Sequence, residues 1–229
     1  MSTTQARAPV TGAFLKKLSA TFATLLIATN AQWASADGLK SLESFMLGVQ
    51  TGRADFTQTV TSPPRDGQAA RTKISSGTFE FQRPNRFKFI YQKPFAQIIV
   101  ADGQTLWLYD VDLNQVTQRP QAKALGSTPA TLLAAAPDLQ ALRAEFTLES
   151  TPVQDDLDWV LARPKAKEGQ LQSVRLGFSL AQGQLAALEI LDSFGQRSLI
   201  HFTHLQINPT LPASTFQFKP PAGADVVRP

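Results

Sequence analysis

Few side chains in this sequence have the type and spacing that a metal site requires. Its two histidines, His201 and His204, are three residues apart in a segment of alternating polar and apolar residues. On a strand, positions three apart point to opposite faces, so the two imidazoles cannot bind one ion together. The spacing therefore predicts no metal site, and it gives neither histidine a role.

An acidic stretch from Asp110 to Asn114 imitates the beginning of a calcium-binding loop. Such a loop has glycine at its sixth position and glutamate at its twelfth. This sequence has Gln115 and Gln121 at those positions. The stretch therefore predicts an acidic hairpin turn.

Catalytic motifs are also missing from the sequence. It contains no Gly-x-Ser-x-Gly elbow, no phosphate-binding glycine loop and no His-Glu-x-x-His segment. Asp155, Asp156 and Asp158 are close in sequence, but they predict a solvated turn. Acid–base catalysis needs convergent polar groups, and this sequence concentrates aromatic residues instead. We therefore expect a protein that is not an enzyme and has no cofactor.

The aromatic residues are concentrated between positions 77 and 115. Five of them share one parity, with mostly polar residues between: Phe79, Phe81, Phe87, Phe89 and Tyr91. A period of two predicts strands that carry these rings on one face of a sheet. The pattern alone leaves two interpretations open, an ordinary β core and an apolar cavity. Arg83 lies in a turn at the corner of this face, either as a surface arginine or with a function.

Periodicity and turn residues predict the other elements. A helix is expected at 37–50 with Asp37 as its cap, and a short apolar one at 131–136. A further helical turn is expected at 138–142. Strands are predicted at 53–61, 72–82, 86–92, 96–101, 105–110, 114–118, 145–150, 158–163, 172–180, 184–191 and 197–207.

These elements predict a mainly β protein of the α+β class with one antiparallel sheet, because hairpins connect the strands. The helices are too few to cover a flat sheet, so we expect a strongly curved one with short helices on its concave side. The five aromatic rings should then face a cavity shared with the helix that carries Leu132 and Leu133. Positions 98–101 and 106–109 are apolar on both parities, so both faces should be covered there.

Residues 1–36 are typical of a cleavable export signal. Basic residues precede an apolar stretch at 18–31, and Ala34-Ser35-Ala36 forms a small-residue cleavage site. The apolar stretch is shorter than the ~20 residues that a spanning helix needs, although an uncleaved anchor is the alternative. The predicted organisation is a signal peptide at 1–36 and one domain at 37–229.

Charge and cysteine content narrow the function further. The chain has 22 basic and 18 acidic residues, and removing the leader leaves 19 and 18, a net charge of +1. Such a balance predicts no nucleic-acid partner. The sequence has no cysteine, so it has no disulfide and no site for lipidation after the leader. We expect a monomer that is soluble in the periplasm.

Five segments together resemble the periplasmic outer-membrane lipoprotein carrier family, the LolA family. They are Gly77-x-Phe-x-Phe-x-Arg-Pro-Asn-x-Phe-x-Phe, Pro94-x-x-Gln-x-x-Val-Ala-Asp-Gly-x-x-Leu-Trp-x-Tyr-Asp, Asp112-x-x-Gln-Val-Thr, Ser127-Thr-Pro-x-x-Leu-Leu and Phe216-x-Phe-x-Pro-Pro-x-Gly-x-Asp-Val. No single segment is decisive, but their order and spacing are fairly specific. The resemblance extends over 39–227.

The resemblance implies a fold and a function. The fold would be an unclosed barrel with a helical lid over an apolar cavity that shelters acyl chains of lipoproteins. Arg83 would hold the lid shut through hydrogen bonds to main-chain carbonyls, for which its rigid set of donors is suited. The implied partners are the inner-membrane lipoprotein-releasing ABC transporter and the outer-membrane lipoprotein receptor.

Two other classes of protein remain as alternatives. One is a periplasmic regulator of envelope stress that detects lipid with a similar half-barrel. Such regulators generally have an additional domain, for which the sequence after Val227 leaves no room. The other is a structural domain without a ligand.

Overall fold

In the computed structural model, residues 37–64, 69–124, 134, 136, 138–166 and 169–229 are described. Within these ranges, twelve strands and three helices are defined. The helices are α1 (Gly38–Gly48), α2 (Gln121–Ala124) and α3 (Leu139–Glu145). The strands are β1 (Thr51–Ser62), β2 (Arg71–Gln82), β3 (Arg86–Lys93), β4 (Gln97–Asp102), β5 (Thr105–Asp110), β6 (Gln115–Pro120), β7 (Phe146–Gln154), β8 (Leu157–Pro164), β9 (Leu171–Ser179), β10 (Leu185–Asp192), β11 (Arg197–Ile207) and β12 (Asp225–Val227).

All twelve strands belong to one curved, unclosed sheet. Their order is β12-β6-β5-β4-β3-β2-β1-β11-β10-β9-β8-β7. Hairpins connect neighbouring strands from β1 to β6 and from β7 to β11, and the pairing of β1 with β11 joins these two halves. The long strands at this junction carry alternating side chains to the concave and convex faces. The predicted single curved sheet is confirmed.

The eleven strands predicted from the sequence all form, with ends that differ by a few residues. The twelfth strand, β12, was not predicted. It pairs in parallel with β6 through partners that include Val226 and Val116, so the sheet is not entirely antiparallel. Three residues are too few to show a period of two, which is why the pattern did not reveal this strand.

Helix α1 packs against the concave face of the sheet. Leu42, Phe45 and Met46 are buried beneath it. At its first residue, a Cβ atom on Gly38 would lie 2.6 Å from the main-chain oxygen of Trp159 in β8. Glycine therefore allows the beginning of the helix to approach the sheet more closely than any other residue could.

The predicted cap of α1 is wrong in its chemistry. Asp37 occupies the N-cap position, but its carboxylate makes no capping hydrogen bond. Instead, the Leu39 amide donates to the hydroxyl of Ser150 in β7 at 3.1 Å, and that hydroxyl donates to Asp37 at 3.0 Å. A distant strand supplies the cap, which local sequence cannot indicate.

The side chain of Asn208, which directly follows β11, binds the other end of α1. Asn208 donates from Nδ2 to the carbonyl of Gly48 at 2.8 Å, and its Oδ1 accepts from the amide of Gln50 at 2.8 Å. Its backbone has a φ of 53°, a conformation that asparagine tolerates better than most residues. Asn208 thereby satisfies backbone groups on both sides of the connection from α1 to β1.

The expected helical turn after position 137 forms as α3 and extends to Glu145. Asp138 caps it by accepting from the Ala141 amide at 2.8 Å. The helix expected at 131–136 lies largely outside the described residues, as do Leu132 and Leu133. Ala134, which is described, is helical and buried. The proposed signal peptide also lies outside them.

The C-terminal segment covers part of the convex face. The Phe218 ring lies 5.5 Å from the ring of Trp107 and 6.0 Å from that of Tyr109. Val100 and Val116, the cross-strand partners of Trp107 and Tyr109, are buried on the same side. The prediction that β4 and β5 are covered on both faces is confirmed. Among the described residues, no helix is long and apolar enough to cross a membrane.

Candidate functional site

The aromatic residues singled out from the sequence lie together on the concave face. Phe79 pairs with Phe89 and Phe81 with Phe87 across β2 and β3. These four side chains are at most 5% exposed, and Tyr91 is partly buried beside them. The prediction that all five share one face is confirmed.

Neighbouring strands extend the aromatic face beyond the residues that the sequence predicted. Phe79 stacks on Phe89 with ring centroids 4.3 Å apart, and it lies 5.6 Å from Phe202 of β11. Phe56 of β1 contacts Phe89 edge-on at 5.4 Å. The period of two in β1 and β11 could have identified Phe56 and Phe202, but their strands contain too few aromatic residues to attract attention.

Gly77 of β2 lies between Phe56 of β1 and Tyr91 of β3. It is the cross-strand partner of both Phe56 and Tyr91. Strands on either side of a third are about 9.5 Å apart, yet the rings of Phe56 and Tyr91 are separated by 5.0 Å. A Cβ atom on Gly77 would collide with the main-chain oxygen of Ile90 in β3, so glycine allows the close approach of β2 and β3 beside these rings.

Helix α1 closes the aromatic face at one end. The ring of Phe45 lies 6.2 Å from Phe81 and 5.8 Å from Phe178 of β9, so one helix side chain bridges the two halves of the sheet. Leu42 and Met46, on the same side of the helix, are at most 3% exposed. In this conformation the helix and the phenyl rings fill the space between them.

Arg83 joins the end of β2 to the last turn of α1. Its Nη1 donates to the carbonyls of Met46 at 3.0 Å and Phe45 at 3.5 Å, and its main-chain amide donates to Gln50 at 2.9 Å. The guanidinium lies over the Phe45 ring, 4.9 Å from its centroid, which is favourable for a cation. A positive charge at the carbonyl end of a helix also stabilises that helix.

Burial changes the acidity of Arg83 without removing its charge. The residue is 7% exposed, and this loss of solvent lowers its pKa to about 10. The side chain is still protonated near neutral pH, so all its donors remain available. It is therefore a buried cation whose hydrogen bonds to α1 offset part of the cost of its desolvation.

The turn that carries Arg83 also holds a second segment. The Asn85 amide donates to the carbonyl of Ala134 at 2.8 Å. Gln121, 1% exposed, donates from Nε2 to the carbonyl of Asn85 at 2.7 Å and accepts from the Gly103 amide at 2.9 Å. One turn thus connects α1, the beginning of α2 and Ala134. Sequence reasoning missed Gln121 because a single glutamine carries no pattern.

Comparison with known proteins identifies the family. The family model described as outer membrane lipoprotein carrier protein LolA matches residues 48–219. The chain belongs to the LolA family. An outer-membrane lipoprotein carrier protein of Albidiferax ferrireducens is 67% identical over 209 residues, which are 90% of this chain and 98% of that protein.

Other proteins of known name also align with most of this chain. The outer-membrane lipoprotein carrier protein of Methylibium petroleiphilum is 53% identical over 85% of this chain and 91% of its own length. Among solved structures, a LolA superfamily protein from Nitrosomonas europaea aligns with a TM-score of 0.46 and 11% identity. That alignment covers 79% of this chain and 96% of the other.

Beyond the aromatic rings, the concave face of this LolA family member opens into a cavity of about 490 Å³. Tyr91 lies at the boundary. Its hydroxyl donates to Gln58 Oε1 at 2.9 Å, and Gln58 Nε2 donates to the hydroxyl of Ser198 at 2.7 Å. Burial raises the pKa of Tyr91 to about 12, so the phenol is neutral at physiological pH and donates.

Among the described residues, neither the acidic stretch at 110–114 nor the two histidines form a metal site. The Asp110 carboxylate accepts from the Leu113 amide at 3.0 Å, as an acidic hairpin turn predicts. The described residues include no group of three or more side chains that could hold a metal ion. Both histidines are exposed, because a bulge in β11 interrupts the alternation on which their predicted opposite orientation depended. His204 lies 2.9 Å from Asp55.

Asp158 corrects the prediction of a solvated acidic turn. Asp155 and Asp156 do form an exposed turn with positive φ angles of 54° and 57°. Asp158, however, belongs to β8, is 3% exposed and accepts a hydrogen bond from the hydroxyl of Ser41 at 3.0 Å. Its carboxylate therefore lies beside the first turn of α1, where the helix dipole favours negative charge.

Proposed function

We propose that this protein is a periplasmic chaperone that carries lipoproteins from the inner to the outer membrane by sheltering their acyl chains. The observation that carries the proposal is the arrangement of Arg83, which holds α1 over a concave face of phenyl rings. The names of the curated relatives favour a carrier over a regulator of envelope stress. A carrier of this kind has no catalytic step.

The physical task of a carrier explains why the concave face is aromatic. Exposing an acyl chain to water costs ~0.8 kcal/mol for each methylene group. The carrier must offset most of that cost and still release its cargo. In the closed state, Phe45, Leu42 and Met46 occupy the apolar face, and acyl chains would replace them when α1 moves away. Lid contacts are then exchanged for cargo contacts, and the net affinity stays moderate.

Arg83 would set the balance between these two states. Its hydrogen bonds to Met46 and Phe45 require α1 to lie on the concave face, so they would favour the state without cargo. A ligand shifts such an equilibrium only by its differential affinity for the two states. We infer that Arg83 opposes loading and promotes release, and that Phe79, Phe81, Phe87, Phe89 and Tyr91 line the acyl-chain site together with Leu132 and Leu133.

The proposal includes a location and partners. Residues 1–36 would direct export and be removed, so the working protein would be a monomer of residues 37–229 in the periplasm. The sequence has no phosphate-binding glycine loop, so energy for loading would come from the inner-membrane lipoprotein-releasing ABC transporter. The outer-membrane lipoprotein receptor would accept the cargo.

A release assay tests the function directly. Spheroplasts that contain a labelled outer-membrane lipoprotein are incubated with the purified protein of residues 37–229. We expect the label to appear in the supernatant in a complex with the added protein, and the Phe89→Glu variant to release none. If the label stays with the membrane at every concentration of the wild-type protein, the carrier function is wrong.

A further inference from the structure

The concave face changes abruptly from apolar to polar along its strands. One row of directly paired residues is apolar throughout: Ala54, Phe79, Phe89, Ile99 and Leu108. Towards the cavity, two positions further along β3, β4 and β5, Gln97 pairs with both Tyr91 and Asp110. Four positions further along β1 and β2, Gln58 pairs with Ser75. These five residues form the polar row. Residues two apart on a strand share a face. Both rows therefore point into the same concave space.

The polar row borders the cavity of about 490 Å³, which lies at the opposite end of the aromatic face from Arg83. Exposed Phe95 and Leu113 stand at its rim, 61% and 71% exposed. Lys73 also lines it, with its ammonium group 5.1 Å from the Phe95 ring centroid. The cavity is therefore an open mouth with an apolar rim and polar walls.

Several polar groups in this mouth are available to a ligand. Within the part of the chain that the structure describes, the side chains of Ser75 and Gln97 have no hydrogen-bond partner. Gln58 differs, because both ends of its amide are used by Tyr91 and Ser198. Ser75 and Gln97 thus place one hydroxyl and one carboxamide, both able to donate and accept, directly beyond the buried rings.

A lipid-anchored cargo shows the same change from apolar to polar groups along its length. Its acyl chains are joined through ester and amide groups to a polypeptide that must remain in water. The mouth is already open to solvent in this conformation, so a hydrated polypeptide can follow there the acyl chains that lie on the aromatic face. The ester and amide groups then coincide with the polar row. Without polar partners at this position, the ester and amide groups would lose the hydrogen bonds that they make to water.

We infer that Ser75 and Gln97 form a subsite for the ester and amide groups that join acyl chains to the cargo polypeptide. Acyl chains would enter with their methyl ends towards α1, and the subsite would fix how far they go in. This inference rests on the carrier function proposed above and adds a determinant of specificity. An acylated peptide would be distinguished from an apolar molecule that lacks these linking groups.

Two probes separate the subsite from the apolar face. One is a synthetic triacylated cysteinyl peptide, and the other is N-phenyl-1-naphthylamine, an apolar fluorophore without ester or amide groups. Binding of each is measured for the protein of residues 37–229 and for Ser75→Ala/Gln97→Leu. Gln92→Leu is the matched control, because Gln92 is exposed and does not line the cavity. Ser75→Thr keeps the hydroxyl and should retain wild-type affinity.

We expect the double variant to bind the acylated peptide about tenfold more weakly, since it loses one or two hydrogen bonds, and to bind the fluorophore unchanged. Equal weakening of both probes would overturn the inference, because the residues would then merely shape the apolar face. Unchanged peptide affinity would also overturn it while leaving the carrier function intact. A wild-type protein that binds the fluorophore and not the peptide would contradict both.

Discussion

The guanidinium of Arg83 donates to the main-chain carbonyl of Met46 at 3.0 Å. The bond connects a turn of the sheet to the last turn of the helix that closes the concave face. It is made to a main-chain atom, so substitution of Met46 would not remove it, whereas substitution of Arg83 would. Arg83 is thus the point at which the closed state can be weakened without altering the face beneath.

Arg83→Leu should increase the open population of the carrier. The substitution removes every side-chain donor and keeps an apolar stem. Hydrogen bonds to a charged group contribute ~1.5–3 kcal/mol each, so losing one or two would change the open fraction more than tenfold. We expect the variant to accept lipoprotein from the inner membrane, to hold it more tightly and to transfer it poorly to the receptor, as measured by transfer between labelled membranes.

Arg53→Leu is the matched control for that experiment. Arg53 pairs with Glu80 on the surface at 2.7 Å and has a half-exposed side chain, so its loss should have little effect. An Arg83→Leu variant that loads and unloads like Arg53→Leu would show that Arg83 does not act as a clasp. A variant that never loads would instead place Arg83 in a docking surface.

Phe89→Glu should abolish cargo binding at a limited cost in stability. A carboxylate on the aromatic face repels acyl chains, but opening of α1 can hydrate it and reduce the penalty of burial. Val116→Glu is the comparison, because Val116 is fully buried under the C-terminal segment on the other face. In denaturant titrations, Val116→Glu should lose more unfolding free energy than Phe89→Glu. The reverse order, or unchanged cargo binding by Phe89→Glu, would contradict a hydratable apolar site.

Gly38→Ala should loosen the beginning of α1. The added Cβ would lie 2.6 Å from the main-chain oxygen of Trp159, so the helix must move away from β8. Gly48→Ala is the control at the other end of the same helix, where a Cβ meets nothing within 4 Å. Hydrogen exchange should show faster exchange of the Leu39 and Ser41 amides in Gly38→Ala alone. Equal exchange in both variants would mean that the close approach does not hold the lid.

Tyr91 should make stability fall at alkaline pH. Burial raises its folded-state pKa to about 12 from the model-compound value of 10.0. In that interval the unfolded phenol ionises first, so the free energy of unfolding decreases as pH rises from about 10 to about 12. Tyr91→Phe removes this contribution. The difference in unfolding free energy between wild type and Tyr91→Phe should be constant below pH 10 and shift against wild type above it. A constant difference across the whole range would mean that the phenol is solvated.

The sequence predicted the aromatic face well because its information is periodic. Phe79 and Phe81 alternate before the turn, Phe87 and Phe89 continue the same parity after it, and a period of two specifies which face the rings share. The turn with Arg83 was identified by its proline and by resemblance to the family. Its bond to Met46 could not be located from periodicity, because which carbonyl a side chain reaches depends on how α1 docks.

What sequence reasoning missed was decided by tertiary contacts or by irregularity. Ser150 caps α1 from a strand more than a hundred residues away, in place of the expected Asp37. The bulge in β11 cancels the alternation that was applied to His204. Asp158 was assigned to a turn with its acidic neighbours, although the strand that follows buries it against Ser41. None of these contacts leaves a local pattern.

The C-terminal segment covers part of the convex face of the sheet and leaves the concave face free to bind a ligand. Phe218 covers Trp107 and Tyr109 on the convex face, and β12 pairs with the otherwise open edge of β6. An uncovered edge strand and an exposed aromatic patch both promote association between copies. A carrier that must expose an apolar concave face to its cargo thus keeps its convex face and one sheet edge covered. Deletion of residues 209–229 would expose aromatic side chains on the convex face as well, and the truncated protein would associate through both faces.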